Sequence, residues 1–343
     1  MIKLLHGADL HLDSPFSSYS PGQGAQYRAL QRRLPGMITR LANERGCDLL
    51  VLSGDILDSE EVHPETVQAL HDAFAQFRGH VFIAPGNHDP YTDVSVWAQC
   101  DWPGNVHVFK TEYECVVLES LGCCIHGGAF LSPVCYVALP QVTQQGYTQI
   151  GVFHADAVTA SEYRMITREQ IAGSGFDYLA LGHIHKRKMP EKLGSTWYGW
   201  PGVAMGRGFD ELGPCGVLEV TLKEGSCTAE FLPLETPVYE IITVPAYEEP
   251  DIPEHSHRCH CRMRFVGSRE PLDPQAVVEA YGEKFLSLEV RDETEPLPDL
   301  WEACGDGTLR GLALDALREE KDADLAAFAA RYLLAALEGR EEP

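Results

Sequence analysis

Five short motifs between residues 9 and 185 combine aspartate, histidine and asparagine, and each one follows an apolar run. The motifs are Asp9-Leu10-His11, Gly54-Asp55-Ile56-Leu57-Asp58, Gly86-Asn87-His88-Asp89, His154, and Gly182-His183-Ile184-His185. A pair of adjacent divalent cations needs an oxygen ligand that bridges them, with imidazoles and carboxylates in the outer positions. The ordered series of motifs therefore predicts a two-metal site.

Such a pair of cations has a definite chemistry. Two adjacent cations lower the pKa of a bound water and stabilise the charge that develops on a phosphoryl group. Mixed ligation by histidine, aspartate and asparagine suits Mn²⁺, Fe²⁺ or Zn²⁺ better than Ca²⁺, which prefers oxygen ligands alone. Taken singly, each motif also has a structural interpretation, since Gly54-Asp55 and Gly86-Asn87 are typical turn dipeptides. Only the complete series indicates catalysis.

The motifs follow segments with the composition of β-strands. The predicted strands are Ile2–His6, Asp48–Ser53, Val81–Ala84, Ile150–Phe153 and Tyr178–Leu181. Loops at the carboxyl ends of strands gather at one edge of an α/β sheet, which would bring the motifs together. Leu30, Leu34, Met37 and Leu41 predict a helix between the first two strands. Pro35 lies inside that pattern and predicts a kink or a late helix start.

These motifs resemble those of the calcineurin-like metallophosphoesterase superfamily. Within it the chain looks most like the SbcD-type DNA exonuclease subunits, and the segment from His6 to Phe16 resembles the opening of the YhaO-like bacterial branch. Two later segments, 200–202 and 206–211, also resemble that branch. The resemblance covers roughly residues 1–235. It implies an α/β fold, a four-layer α/β/β/α sandwich.

The resemblance also implies a role for each site residue. Expected at the first metal are Asp9, His11 and His185; at the second, Asn87, His154 and His183; Asp55 bridges the two. The implied cofactors are two divalent ions, Mn²⁺ first and Fe²⁺ or Zn²⁺ as alternatives. His88 is expected to act as general acid or transition-state stabiliser, and Asp89 to orient it by accepting a hydrogen bond from its ring. Asp58 is interpreted as a supporting or loop residue.

DNA is the substrate that the resemblance implies, cut by an exonuclease subunit that works with an SbcC-like coiled-coil ATPase and forms a homodimer. A net charge of −24 is unusual for a protein that grips nucleic acid. Lys186, Arg187 and Lys188 directly follow His185 and are the best candidates for contacts with a phosphate backbone. Two alternatives stay open: a phosphoesterase acting on a small phosphodiester, cyclic nucleotide or phosphoprotein, and a non-catalytic interaction scaffold.

Prolines near residues 234–245 predict a boundary in the chain. We predict a phosphoesterase domain over 1–240, a small capping-like α+β domain over 250–295, and a C-terminal helical segment over 300–343. The helical segment either packs on its own domain or docks on the partner ATPase. No run approaches the ~20 apolar residues that a membrane span needs. Eleven cysteines without a disulfide-like spacing favour a reducing cytoplasm.

Overall fold

The structure is a computed structural model, and it describes residues 1–58, 61–135, 138–142, 146–157, 165–269, 272–296, 299–337 and 339. Two units lie along the chain: residues 1–240 with 255–260 form the first, and residues 241–254 with 261–343 form the second. Residues 338 and 340–343 of the predicted C-terminal segment lie outside the described residues.

Two six-stranded sheets form the framework of the first unit. The first sheet has the spatial order β12 (Ser226–Pro233), β11 (Gly216–Lys223), β1 (Ile2–Gly7), β2 (Leu49–Leu52), β3 (His80–Ile83) and β4 (Val106–Val108). The second has the order β5 (Glu114–Leu118), β6 (Cys123–Gly128), β7 (Thr148–His154), β8 (Tyr178–Gly182), β10 (Thr196–Trp200) and β9 (Lys188–Leu193). Strands β1 to β4 run parallel, as do β6, β7, β8 and β10. Their carboxyl ends therefore share an edge in each sheet.

Alternation of side chains along the strands separates the buried residues into layers. Leu4 and Val51 share a core with Ile125 of the second sheet, which places that core between the two sheets. Leu5, on the other face of β1, belongs to a core with Ile38. The helices of this unit are α1 (Pro21–Gln31), α2 (Leu34–Glu44), α3 (Pro64–Ala75), α4 (Val96–Gln99) and α5 (Arg168–Gly173). Helices α1 to α3 cover the first sheet and α5 covers the second, which confirms the predicted α/β/β/α sandwich.

The strands that precede the motifs begin and end within two residues of their predicted bounds. The helix predicted between β1 and β2 is in fact two helices, since α1 ends at Gln31 and α2 begins at Leu34. Pro35 therefore lies in the first turn of α2, where its missing N–H has no partner to lose. The structure therefore shows the late helix start that Pro35 predicted.

A three-stranded sheet has the order β13 (Val238–Pro245), β14 (Cys259–Ser268) and β15 (Ser287–Glu295), and most of its residues lie in the second unit. The helices of the second unit are α6 (Pro274–Tyr281), α7 (Leu309–Arg318) and α8 (Ala323–Leu337), with a short 3₁₀ turn at Gly282–Lys284. Leu314 of α7 is buried with Ala330 and Leu334 of α8. None of the helices in the described residues has the length and apolar composition needed to span a bilayer.

Candidate metal centre

The loops at the ends of five strands bring the predicted site residues together. Two of these loops, after β1 and β2, run side by side, because Asp9 N–H donates to the Gly54 carbonyl and His11 N–H to the Asp55 carbonyl, each at 3.0 Å. The other site residues come from the loop after β3, the end of β7 and the loop after β8. The main chain thus fixes the distance between the first two motifs independently of any metal.

Backbone conformations in these loops are unusual for residues with side chains. Asp9, His11, Asp55 and His183 have φ values of 50°, 44°, 50° and 86°. This left-handed region is sparsely populated by residues other than glycine, and each such residue costs about 1–3 kcal/mol. Strain of this kind persists where the surrounding structure enforces it, which is typical of functional sites.

Glycines in the motifs make room for ligands of other motifs. A Cβ atom at Gly86 would lie 2.2 Å from Asp55 Oδ1, and a Cβ at Gly54 would lie 2.4 Å from His154 Nδ1. Both distances are far below van der Waals contact. The Gly-Asp and Gly-Asn pairs, which look like turn dipeptides in isolation, are therefore packing requirements between motifs.

Asp9, His11 and His185 form one group of side chains, which we name the first metal position; their ligand atoms all lie within 4.8 Å of one another. His11 Nδ1–H donates to Asp58 Oδ1 at 2.8 Å, and His185 Nδ1–H donates to Glu211 Oε1 at 2.8 Å. The Nε2 atoms, on the opposite sides of these two rings, face each other at 3.2 Å.

This facing pair fits a cation. Two nitrogens that bind one ion at about 2.0–2.1 Å lie roughly 3.0–3.4 Å apart for bond angles of about 90–110°. The 3.2 Å separation between His11 Nε2 and His185 Nε2 falls in that interval. The donor set is therefore suited to a divalent metal.

Acceptor atoms also converge in a second group, which we name the second metal position, formed by Asn87, His154 and His183. His154 Nε2 lies 2.9 Å from Asn87 Oδ1 and 3.3 Å from His183 Nδ1. His154 Nδ1–H donates to the Ser53 carbonyl at 3.0 Å, so its Nε2 is the nitrogen that points toward Asn87 and His183. The geometry again matches ligands around one ion.

Asp55 lies between the two positions. Its Oδ2 atom is 3.3 Å from His154 Nε2 and 3.9 Å from His11 Nε2, while Oδ1 accepts from the N–H of His88 at 3.0 Å. Burial opposes ionisation of this carboxyl, but His154 and then His11 hold its pKa below the ordinary range. Burial likewise lowers the pKa of His154, but Asp55 outweighs it and raises that pKa to about 9. One oxygen thus faces both metal positions.

His88 and Asp89 are placed differently from each other. The His88 side chain is 45% exposed, and its Nδ1 lies 3.3 Å from the carbonyl oxygen of Asp58. The expectation that Asp89 accepts a hydrogen bond from the His88 ring is wrong. Asp89 is buried, and its carboxylate accepts from three backbone N–H groups, those of Ile56 (2.9 Å), Leu57 (3.1 Å) and Gly86 (2.7 Å). Asp89 therefore joins two motif loops, and Asp58 is the neighbour of the His88 ring.

Two site residues escaped the sequence reasoning, Arg207 and Glu211. Arg207 Nη1 lies 3.2 Å from Asp58 Oδ1, and Arg207 Nη2 lies 2.8 Å from Glu211 Oε1. One guanidinium thus links the two carboxylates that hold His11 and His185. Burial opposes ionisation of Glu211, but hydrogen bonds from His185 and Arg207 lower its pKa to about 2. The resemblance of segment 206–211 to the YhaO-like branch marked this loop, but it implied no role for Arg207 or Glu211.

The three cations after His185 are exposed at the surface. The Arg187 guanidinium lies over the Phe231 ring at 3.7 Å, and the Lys188 ammonium lies 5.1 Å from the centre of the Trp200 ring. Such contacts hold a charged group at a defined place without neutralising it. The cluster is therefore positioned beside the first metal position, through its neighbour His185.

Comparison with known families agrees with this geometry. A family model described as calcineurin-like phosphoesterase matches residues 2–187. That range contains every predicted metal ligand together with His88 and Asp89, whereas Arg207 and Glu211 lie beyond it.

The individual proteins that match the chain share little sequence identity with it. An uncharacterized metallophosphoesterase of Bacillus subtilis strain 168, YhaO, is 27% identical over 247 residues, and the match spans 67% of this chain and 60% of that protein. A structure described as a novel archaeal phosphodiesterase is 12% identical, with a TM-score of 0.38, over 67% of this chain and 100% of that one. TT1561 of Thermus thermophilus is 11% identical, with a TM-score of 0.41, over 67% of this chain and 98% of that one.

Proposed function

This chain belongs to the calcineurin-like phosphoesterase family, and we propose that it is a phosphodiesterase that cuts DNA as an exonuclease. Metal-dependent hydrolysis of phosphoesters follows from the family, whose members use a dinuclear metal centre. The observation that carries the proposal is the convergence of imidazole nitrogens and carboxylate and amide oxygens on both sides of Asp55. The choice of DNA rests on the resemblance to SbcD-type nucleases.

Each residue has a definite task in this proposal. The residues that would hold the ions are Asp9, His11 and His185 at the first position, Asn87, His154 and His183 at the second, and Asp55 at both. Two divalent ions supply the positive charge that activates a water and stabilises a phosphoryl group. We propose Mn²⁺, with Fe²⁺ or Zn²⁺ as alternatives, because the ligand set mixes imidazole with oxygen donors.

His88 is placed to act on the leaving group. Its Nδ1–H faces the Asp58 carbonyl, which leaves Nε2 as the nitrogen that can transfer a proton to the departing sugar oxygen. The ring lies edge-on to His11, with ring centres 5.0 Å apart, so it is beside the metal positions without entering them. Its exposure allows contact with a substrate that approaches from solvent.

We propose a partner protein because the chain itself is strongly acidic. An SbcC-like coiled-coil ATPase would supply affinity for DNA that a chain with net charge −24 lacks. Helix α8 buries Ala330 and Leu334 but exposes Leu325, Phe328 and Tyr332 by 54%, 56% and 45% on the other face. Apolar residues at this helical spacing suit a helical partner. The homodimer implied by the resemblance is also a proposal, which light scattering of the purified chain would test.

The decisive experiment uses end-labelled linear duplex DNA with Mn²⁺. We expect stepwise shortening by the wild type, and none with chelator or with His88→Ala. Shortening that persists in His88→Ala would contradict the role of His88, and shortening that persists with chelator would contradict the metal centre. The same reactions with the ATPase added test the partner.

A second candidate is a phosphodiesterase for small substrates, which the acidic surface favours because a small diester needs no basic binding surface. Bis(p-nitrophenyl) phosphate separates the two candidates. Its hydrolysis by wild type, with DNA left intact in the presence of the ATPase, would select the small substrate. Purified protein that binds no divalent metal would instead favour a non-catalytic scaffold.

A further inference from the structure

The loop Gly206–Glu211 holds a charged group that the family match does not reach. Glu211 is only 3% exposed at its side chain, and Asp58 is 14% exposed. Buried carboxylates are unfavourable unless they are paired and hydrogen-bonded. Both are paired here with the same guanidinium, that of Arg207, which is 23% exposed.

The loop is folded so that this pairing forms. Glu211 Oε2 accepts from the backbone N–H of Arg207 at 2.8 Å, and Glu211 N–H donates to the Gly208 carbonyl at 3.1 Å. These bonds place the side chains of residues 207 and 211 side by side. Arg207 can then contact Glu211 with Nη2 and reach Asp58 with Nη1.

Each of the two carboxylates has a further contact, and both contacts lead to the same place. Asp58 Oδ1 accepts from His11 Nδ1, and Glu211 Oε1 accepts from His185 Nδ1, each at 2.8 Å. The opposite nitrogens of these two rings are the pair that face each other at 3.2 Å. A carboxylate on Nδ1 fixes the tautomer and the orientation of a ligand histidine and makes its Nε2 more basic.

We propose that Arg207 and Glu211 are positioning residues that, together with Asp58, hold His11 and His185 in the geometry that binds the first metal. The proposal rests on the two-metal site of the preceding section but not on DNA as its substrate. His154 of the second metal position is held by the Ser53 carbonyl, outside this linkage. Loss of Arg207 therefore weakens one metal and spares the other.

The test measures metal binding directly. Metal-free wild type and Arg207→Ala are dialysed against buffered free Mn²⁺, and bound Mn²⁺ per chain is determined. We expect two ions in wild type, and in the variant one dissociation constant raised about 10- to 100-fold with the other within about twofold of wild type. Equal weakening of both ions, or of neither, would overturn the proposal.

Single-position backgrounds identify which ion is affected. Asn87→Ala should retain only the first ion, and adding Arg207→Ala should weaken it. His185→Ala should retain only the second ion, and adding Arg207→Ala should leave it unchanged. The reverse pattern would also overturn the proposal.

Matched variants separate positioning from charge and from folding. Glu211→Gln removes the charge that holds His185 and should weaken the first ion. Asp210→Asn removes the same charge at an exposed neighbouring residue and should leave both dissociation constants unchanged. Arg207→Lys keeps the charge but loses the planar fork that reaches two carboxylates, so it should bind Mn²⁺ as weakly as Arg207→Ala. Full affinity with lysine would refute positioning. Thermal unfolding of each metal-free variant checks the fold.

The proposed function and the role of Arg207 can fail independently of each other. If wild type leaves DNA and small diesters intact but the Mn²⁺ result for Arg207→Ala is as expected, the proposed function falls and the inference stands. If wild type cuts DNA while Arg207→Ala binds both ions normally, only the inference falls.

Discussion

Histidines on the two sides of the candidate centre are held by different kinds of group. His11 and His185 each donate to a side-chain carboxylate, and those carboxylates share Arg207. His154 donates to the main-chain carbonyl of Ser53 at the end of β2. The first support is charged and depends on residues far apart in the sequence. The second is neutral and belongs to the strand itself.

The difference determines what each side is sensitive to. A backbone carbonyl cannot be removed by substitution, so the orientation of His154 depends on the sheet. Support by Asp58 and Glu211 can be removed one side chain at a time, without change to the strands. The first metal position should therefore be open to adjustment by mutation, and the second should respond mainly to changes in the fold.

The largest effect on metal binding is expected from a substitution of Asp55, which lies between the two metal positions. Asp55→Asn removes the charge that both positions share, so we expect loss of both Mn²⁺ ions and no detectable hydrolysis of bis(p-nitrophenyl) phosphate. Metal analysis after dialysis measures the first and a colour assay the second. A variant that keeps one ion at wild-type affinity would show that Asp55 belongs to one side only.

His88→Ala should come next. The His88 ring contacts the Asp58 carbonyl and lies edge-on to His11, but His88 belongs to neither set of proposed ligands. The variant should therefore keep both ions and lose hydrolysis by about 10²- to 10⁴-fold. Metal content and turnover are measured on the same preparation. Loss of an ion together with activity would make His88 a ligand.

Ser53, whose carbonyl holds His154, also contacts a buried histidine, and this predicts that the free energy of unfolding depends on pH. His6 is fully buried beneath Ser53, with Nε2 3.2 Å from Ser53 Oγ and Nδ1 2.9 Å from Tyr178 Oη. Burial lowers the pKa of His6 from 6.5 to about 3. The unfolded chain therefore binds the proton first, and this contribution, present above pH 6.5, is lost as the pH falls.

Between pH 7.5 and 5 the expected loss from His6 alone is about 2 kcal/mol in the free energy of unfolding. Urea unfolding of the metal-free protein at the two pH values measures it, and His6→Gln should show a correspondingly smaller dependence. Equal dependence in both proteins would mean that His6 is protonated in the fold.

The smallest effect is a difference in affinity between the two positions. The first has Asp9 where the second has the neutral Asn87, and its histidines face carboxylates. We expect Asn87→Ala, which retains the first ion, to bind Mn²⁺ about tenfold more tightly than His185→Ala, which retains the second. Calorimetric titration of both variants gives the two constants. Equal constants would mean that the supporting groups do not set affinity.

Sequence alone predicted the strands and the polar residues that gather at their ends for the same reason. Residues such as Asp9 and His154 follow short apolar runs, and both the run and the polar residue that ends it are local signals. The late start of α2 at Pro35 is equally local. The layers followed because alternation along β1 places Leu4 and Leu5 on opposite faces.

What could not be predicted depends on contacts across the chain. Arg207 and Asp58 are 149 residues apart, and no spacing rule connects them. The error at Asp89 has the opposite origin, because adjacency to His88 suggested a contact that the turn prevents. The carboxylate of Asp89 instead meets the N–H groups of Ile56 and Leu57 from another motif.

Gly86 shows how far the motifs depend on one another. It binds no metal, yet the absence of its side chain is what lets the Asp55 carboxylate lie against the loop after β3. Adding one methyl group there would leave every ligand in the sequence and still push the shared carboxylate out of place. The motifs of such a site cannot be moved one at a time into another protein, because each of these glycines leaves space for a ligand from a different loop.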